Sequence, residues 1–112
     1  MVHEIIPKIE KGGGADITAA NTLYELHPVT SGRKFKLETL IVTNPISGAE
    51  ARFYVYDGVS GSTTKRLDLI IRASDTIVLG KDELKGVPDF ISGVVVASTV
   101  SGLWAHAGGY EY

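Results

Sequence analysis

Residues 66–72, RLDLIIR, place an apolar side chain at every second position. Leu67, Leu69 and Ile71 alternate with charged neighbours, and Ile70 alone breaks the polar side of the pattern. A period of two is typical of a β-strand that has one face on a core and one in solvent. The stretch therefore predicts a half-buried strand.

The same period recurs elsewhere in the chain. In residues 51–58, ARFYVYDG, Phe53 and Val55 form the apolar set. Residues 32–45, GRKFKLETLIVTNP, begin with clean alternation, but both faces become apolar over residues 40–42. Such a switch predicts either a strand that enters a region covered on both sides or a strand that carries a bulge.

Turn signals rich in Gly, Ser, Asp and Pro separate these segments from further candidate strands. One helical turn is predicted at residues 81–84. The spacing of roughly ten residues between short strands favours an all-β fold, an antiparallel, jelly-roll-like β-sandwich of about eight short strands. The further candidate strands are residues 4–9, 21–29, 75–80, 93–100 and 102–110.

Composition indicates an ordinary globular domain. The chain has 112 residues, of which 44% are hydrophobic and 21% charged. Its net charge of -2 gives no reason to expect a nucleic-acid partner. We expect no signal peptide and no membrane span, because no stretch approaches the roughly 20 apolar residues that a span needs. The absence of cysteine excludes disulfides and thiolate metal sites.

The pattern divides the chain into an N-terminal arm with a glycine hinge, residues 1–14, and a β-sandwich domain, residues 15–112. Gly12-Gly13-Gly14 suggests the hinge, because glycine is costly to order inside a regular element. The arm is too apolar for a free tail, so we expect it to dock on its own domain or on a neighbouring subunit. Its apolar residues are Val2, Ile5, Ile6 and Ile9.

No residue pattern predicts catalysis. The histidines, His3, His27 and His106, lack ligand spacing, and no nucleophile motif is present. The sequence therefore predicts a protein that is not an enzyme, with no catalytic residue, no metal site and no cofactor.

The C-terminal segment, residues 101–112, SGLWAHAGGYEY, has the pattern of a closing strand. Leu103, Ala105 and Ala107 share one face of it, and Trp104 and His106 share the other. His106 is therefore predicted to be structural or to lie in an interface. The interface candidates are Val2, Ile5, Ile6, Ile9, Trp104, His106, Tyr110 and Tyr112.

Several strands offer apolar residues to both of their faces, although a two-sheet sandwich has one interior. Another subunit or local packing under loops would cover the second faces, and the first alternative predicts an oligomer. The aromatic residues could instead stack on sugar rings, as in a carbohydrate-binding or receptor-binding module. These aromatics are Tyr24, Tyr54, Tyr56, Trp104, Tyr110 and Tyr112.

The run of residues 15–45, followed by YVYDG, TIVLG, KGVPDF and GLWAHAGGYEY, resembles small β-sandwich virion proteins of tailed phages and related archaeal viruses. The resemblance implies a non-enzymatic protein that decorates or cements a capsid, or forms part of a tail or spike. It implies a homotrimer, a major capsid or other virion protein as partner, and a place in the virion after assembly in the host cytoplasm. It transfers no functional residue, and carbohydrate stays open as a ligand.

Overall fold

The computed structural model describes residues 9–58 and 64–112, and within them the chain forms eight β-strands and one short helix. The strands and helix α1 follow the predicted segments closely, except at the N-terminus. Their bounds are β1 Ile9–Ile17, β2 Tyr24–Pro28, β3 Phe35–Asn44, β4 Ala51–Asp57, β5 Thr64–Ile71, β6 Asp75–Leu79, α1 Lys81–Leu84, β7 Gly93–Ser98 and β8 Leu103–Glu111.

The strands form two antiparallel sheets. Sheet I has the order β1-β8-β3-β6 and sheet II the order β2-β7-β4-β5. The first strand pairs with the last, the second with the seventh, the third with the sixth and the fourth with the fifth. A long hairpin that is rolled up into two facing sheets has this order, which is that of a jelly roll. The prediction of an antiparallel, jelly-roll-like sandwich is confirmed.

The core lies between the sheets and contains the residues that alternation assigned to it. Phe53 and Val55 of β4 are fully buried, as is Ile71 of β5. Leu67 and Leu69 pack against this core from the same face of β5. Burying an aliphatic or aromatic side chain of this size stabilises a fold by about 1.5–3 kcal/mol.

Strand β3 contains the bulge that its change of pattern suggested. Glu38 has no pairing partner between Leu37 and Thr39. The extra residue shifts the alternation, so that Leu40 and Val42 are buried in the core after the bulge. The bulge explains why apolar residues change phase along this strand.

The predicted glycine hinge is wrong. Gly12–Gly14 lie inside β1, so the sandwich includes residues 9–14, which the sequence assigned to the arm. The glycines permit a close approach between backbones, since a Cβ at Gly13 would lie 2.1 Å from the carbonyl oxygen of Leu26 in β2. The rest of the predicted arm, with Val2, Ile5 and Ile6, lies outside the described residues.

Buried Asn44, at the end of β3, joins three segments. Its Nδ2 donates to the carbonyl oxygens of Ala49 at 2.9 Å and Ile71 at 3.2 Å. Its Oδ1 accepts from the backbone N–H of Ile46 at 3.1 Å. These bonds satisfy backbone groups of the loop after β3 and of the last residue of β5.

Asp57, at the end of β4, fixes the loop that enters β7. Its Oδ1 accepts backbone hydrogen bonds from Ile91, Ser92 and Gly93 at 3.0, 2.9 and 3.3 Å. Its Oδ2 lies 3.2 Å from Nη2 of Arg66 in β5. A carboxylate with several donors of this kind orders a loop strongly, so Asp57 fixes the entry into β7.

Candidate interaction surface

The outer face of β8 presents the aromatic residues of the C-terminal segment. Trp104 is 39% exposed and His106 is half-buried. Their rings are stacked, with centroids 6.0 Å apart and an interplanar angle of 16°. The stack lies beside Gly14 of β1, where a Cβ would be 3.5 Å from Trp104 and 3.4 Å from His106. As predicted, the two rings share the face opposite Leu103 and Ala107.

A row of apolar residues crosses sheet I from this stack. His106 pairs with Ile41 of β3, and Ile41 pairs with Val78 of β6. Val78 is 61% exposed and Ile41 half-buried. We call Trp104, His106, Ile41 and Val78 the apolar row. It reaches the outer edge of the sheet, because β6 is an edge strand.

The outer face of sheet II differs from that of sheet I, because the chain itself covers an apolar residue there. Val95 of β7 is 1% exposed within the single chain. It lies between Glu25 and Tyr56 in neighbouring strands, so the chain covers it by local packing. Ile70 on β5 stays 54% exposed. At Val95 the alternative of local packing therefore applies.

A groove of about 530 Å³ lies on the outer face of sheet I, next to the apolar row. Strand β8 forms its floor, and β1, β3 and the start of α1 supply its sides. We call it the Gly108 groove. Its lining residues are Glu10, Lys11, Glu38, Thr39, Lys81, Gly108, Gly109 and Tyr110. Within the described residues, the groove combines an aromatic ring with both acidic and basic side chains.

His27 and Glu111 form a buried polar pair at one end of the sandwich. Nε2 of His27 donates to Oε2 of Glu111 at 2.6 Å, and the same oxygen accepts from the backbone N–H of Thr30 at 3.3 Å. Glu111 is fully buried and His27 is 7% exposed. The residues are 84 positions apart, and no signal in the sequence pointed to their contact.

The pKa of Glu111 is lower than that of an ordinary glutamate. Burial acts to raise this pKa, but the hydrogen bonds from Thr30 and His27 and the positive charge of His27 outweigh it. The carboxylate therefore stays ionised inside the fold. Its chemical surroundings are those of a structural ion pair that holds β2 against β8.

The remaining interface candidates are placed as follows. Ile9, the first residue of β1, is 38% exposed. Tyr110 and Tyr112 are half-buried, with ring centroids 5.7 Å apart. The hydroxyl of Tyr112 donates to Asp89, and this bond raises the pKa of Tyr112. The polar end of Tyr112 is thus used inside the chain.

Among residues 9–58 and 64–112, no three His, Asp or Glu side chains come together in a group that could hold a metal ion. No helix of the described ranges is long and apolar enough to cross a membrane. The chain matches no protein-family model, and no curated protein is similar to it in sequence.

Proposed function

We propose that this chain is a non-enzymatic structural protein of a virion, which decorates or stabilises a capsid or forms part of a tail or spike. It acts through protein–protein contacts and assembles as a homotrimer. The apolar row on sheet I is the observation that supports this proposal most strongly. In this row, Val78 and Trp104 are 61% and 39% exposed on the outer face of the sheet.

The position of the row favours a protein partner. Protein interfaces have an apolar, aromatic centre and a polar rim. Trp104 and Val78 supply such a centre, and the hydrogen-bonded hydroxyls of Thr43 and Thr76, 3.1 Å apart, lie beside it. The row ends at β6, whose outer edge has no strand partner among the described residues. A second chain can therefore meet both a face and an edge.

The resemblance to phage virion proteins suggests the kind of assembly that the chain would join. Jelly rolls occur in viral capsid proteins, in lectins and in cupins, so the fold alone is compatible with several functions. The segments that carry the resemblance include Asn44 in TNP, Asp57 in YDG and Glu111 in GGYEY. Each of these is a buried polar residue that holds the framework. The resemblance therefore includes residues that hold the framework of the fold, and the exposed residues determine which partner binds.

Imaging of virus particles assembled with and without this chain tests the proposal. We expect additional density at symmetry-related positions on particles that contain the chain, and a lower resistance to heat or dilution in particles that lack it. The Val78→Ser variant should occupy fewer of these positions. Particles with identical density and stability in both preparations would contradict the proposal.

A further inference from the structure

We propose that the Gly108 groove binds a neutral oligosaccharide, with a sugar ring lying over Gly108 and against Tyr110. This goes beyond a structural role, because it gives the chain a ligand on a surface adjacent to the apolar row. The groove has a volume of about 530 Å³, in the range of small-ligand sites.

The fold does not require glycine at position 108. A Cβ there would make ordinary contacts, 3.8 Å from Cβ of Thr39 and 3.9 Å from Cε1 of His106. At Gly109, by contrast, a Cβ would lie 1.9 Å from the carbonyl oxygen of Lys36. A glycine inside a strand weakens it and often marks a place where a ligand approaches the backbone. A side chain at position 108 would project into the groove.

Aromatic rings lie on either side of Gly108 along the outer face of β8. Because side chains alternate along β8, Tyr110 and His106 flank Gly108 on the same outer face. The two residues are about 13 Å apart along the strand, from a rise of about 3.3 Å per residue. The apolar face of a sugar ring packs well on an aromatic ring, and the gap over Gly108 leaves space for one between these flanks.

The positive and negative charges of the groove lining are equal in number. The lining contains two carboxylates, Glu10 and Glu38, and two ammonium groups, Lys11 and Lys81. Nζ of Lys81 lies 3.6 Å from Oε2 of Glu38, so these charges offset each other. A polyanion would need an excess of basic groups. A neutral, hydroxyl-rich ligand can accept from the ammonium groups and donate to the carboxylates.

A peptide fits this groove less well. Strand β8 is central in sheet I and pairs with β1 on one side and β3 on the other. Its backbone groups are therefore used within the sheet, and the floor of the groove offers none for strand addition. A sugar needs no backbone partner, because hydroxyl groups bond to the side chains of the walls.

Titration of the isotopically labelled full-length chain, followed by NMR, tests the proposal. The probes are neutral oligomers of glucose, xylose, mannose, galactose and N-acetylglucosamine, with oligogalacturonate as the anionic comparison. At least one neutral oligomer should bind saturably at millimolar concentration or below, with the largest shifts at Thr39, Gly108 and Gly109. Gly108→Ala and Tyr110→Leu should each weaken binding by roughly tenfold or more.

Tyr54→Leu is the matched control, because Tyr54 is also a half-buried tyrosine but lies on the outer face of sheet II. It should leave the affinity within about twofold. If Gly108→Ala fails to fold, Tyr110→Leu decides the test. The proposal is wrong if no neutral oligomer binds, if the anionic oligomer binds more tightly, or if the shifts lie around Tyr54. Loss of assembly in the groove variants, without sugar binding by the unmodified chain, would assign the groove to a protein contact.

Discussion

The two faces of β8 contain residues of opposite character only one position apart. On the inner face, Ala105 and Ala107 are fully buried and Glu111 forms an ion pair with His27. On the outer face, Trp104 is 39% exposed. Between positions 104 and 107, the large rings of Trp104 and His106 therefore face outward, and the small residues face inward, where the sheets approach each other closely.

This difference separates the histidines by role. His27 is buried against Glu111 and belongs to the framework, whereas His106 lies on the outer face, stacked on Trp104. A framework residue should affect the free energy of unfolding, and a surface residue should affect association. Substitution of each histidine therefore tests whether the two faces have different roles.

The largest effect is expected for His27→Ala. Removal of His27 leaves the buried carboxylate of Glu111 without its 2.6 Å hydrogen bond, which costs at least about 1–3 kcal/mol in the free energy of unfolding. Urea denaturation measures this loss. The matched control is His106→Ala, which should change the same quantity by less than about 1 kcal/mol. Equal losses for the two variants would show that the faces are not distinct.

Acid should remove the contribution of the same pair. The pKa of Glu111 is lowered in the folded chain, so its contribution to stability is fully present above the pKa of the unfolded chain, about 4.3. It is lost as the pH falls through the lower, folded-state pKa. Urea denaturation from pH 7 to pH 2 should therefore show a stability difference between the unmodified chain and Glu111→Gln that shrinks in acid. A difference that grows as the pH falls would contradict the assignment.

The sequence predicted the inner faces well, because alternation depends on local chain geometry. Phe53, Val55 and Ile71 were assigned correctly to the core from a period of two. The bulge of β3 was visible as a change of phase at residues 40–42. The glycines of β1 were misinterpreted, because the close approach of Gly13 to Leu26 in β2 depends on how the two sheets meet.

The site depended on long-range pairing and was less predictable. Trp104 and His106 were placed on a common face from the sequence, but their continuation through Ile41 to Val78 follows from the strand order of sheet I. The pair of His27 and Glu111 joins residues 84 positions apart. No local pattern contains such contacts, because they arise when the chain is rolled into a sandwich.

Deletion of residues 1–8 tests the role expected of the apolar arm. The deletion removes none of the described residues of β1, so the free energy of unfolding should change by less than about 1 kcal/mol. Self-association should weaken by at least roughly tenfold, since burial of Val2, Ile5 and Ile6 offers about 1.5–3 kcal/mol for each side chain before ordering costs. Sedimentation velocity measures the change. Unchanged association would show that the arm takes no part in assembly. Unfolding of the truncated chain would show that the arm belongs to the core.

A smaller effect is expected for Val78→Ser in the apolar row. The loss of one exposed aliphatic contact should weaken self-association by roughly threefold to tenfold. Ile70→Ser is the matched control, because Ile70 is 54% exposed on sheet II. It should leave association within about twofold. Equal weakening by both variants would show that sheet I is not the preferred face.

Sedimentation equilibrium of the unmodified chain, over a wide range of concentration, tests the central claim most directly. The chain has a mass of 12.0 kDa, so a monomer and a trimer are readily distinguished. We expect a reversible trimer, which the Val78→Ser variant populates less than the unmodified chain does. A monomer at every concentration, together with no binding to virus particles, would contradict it.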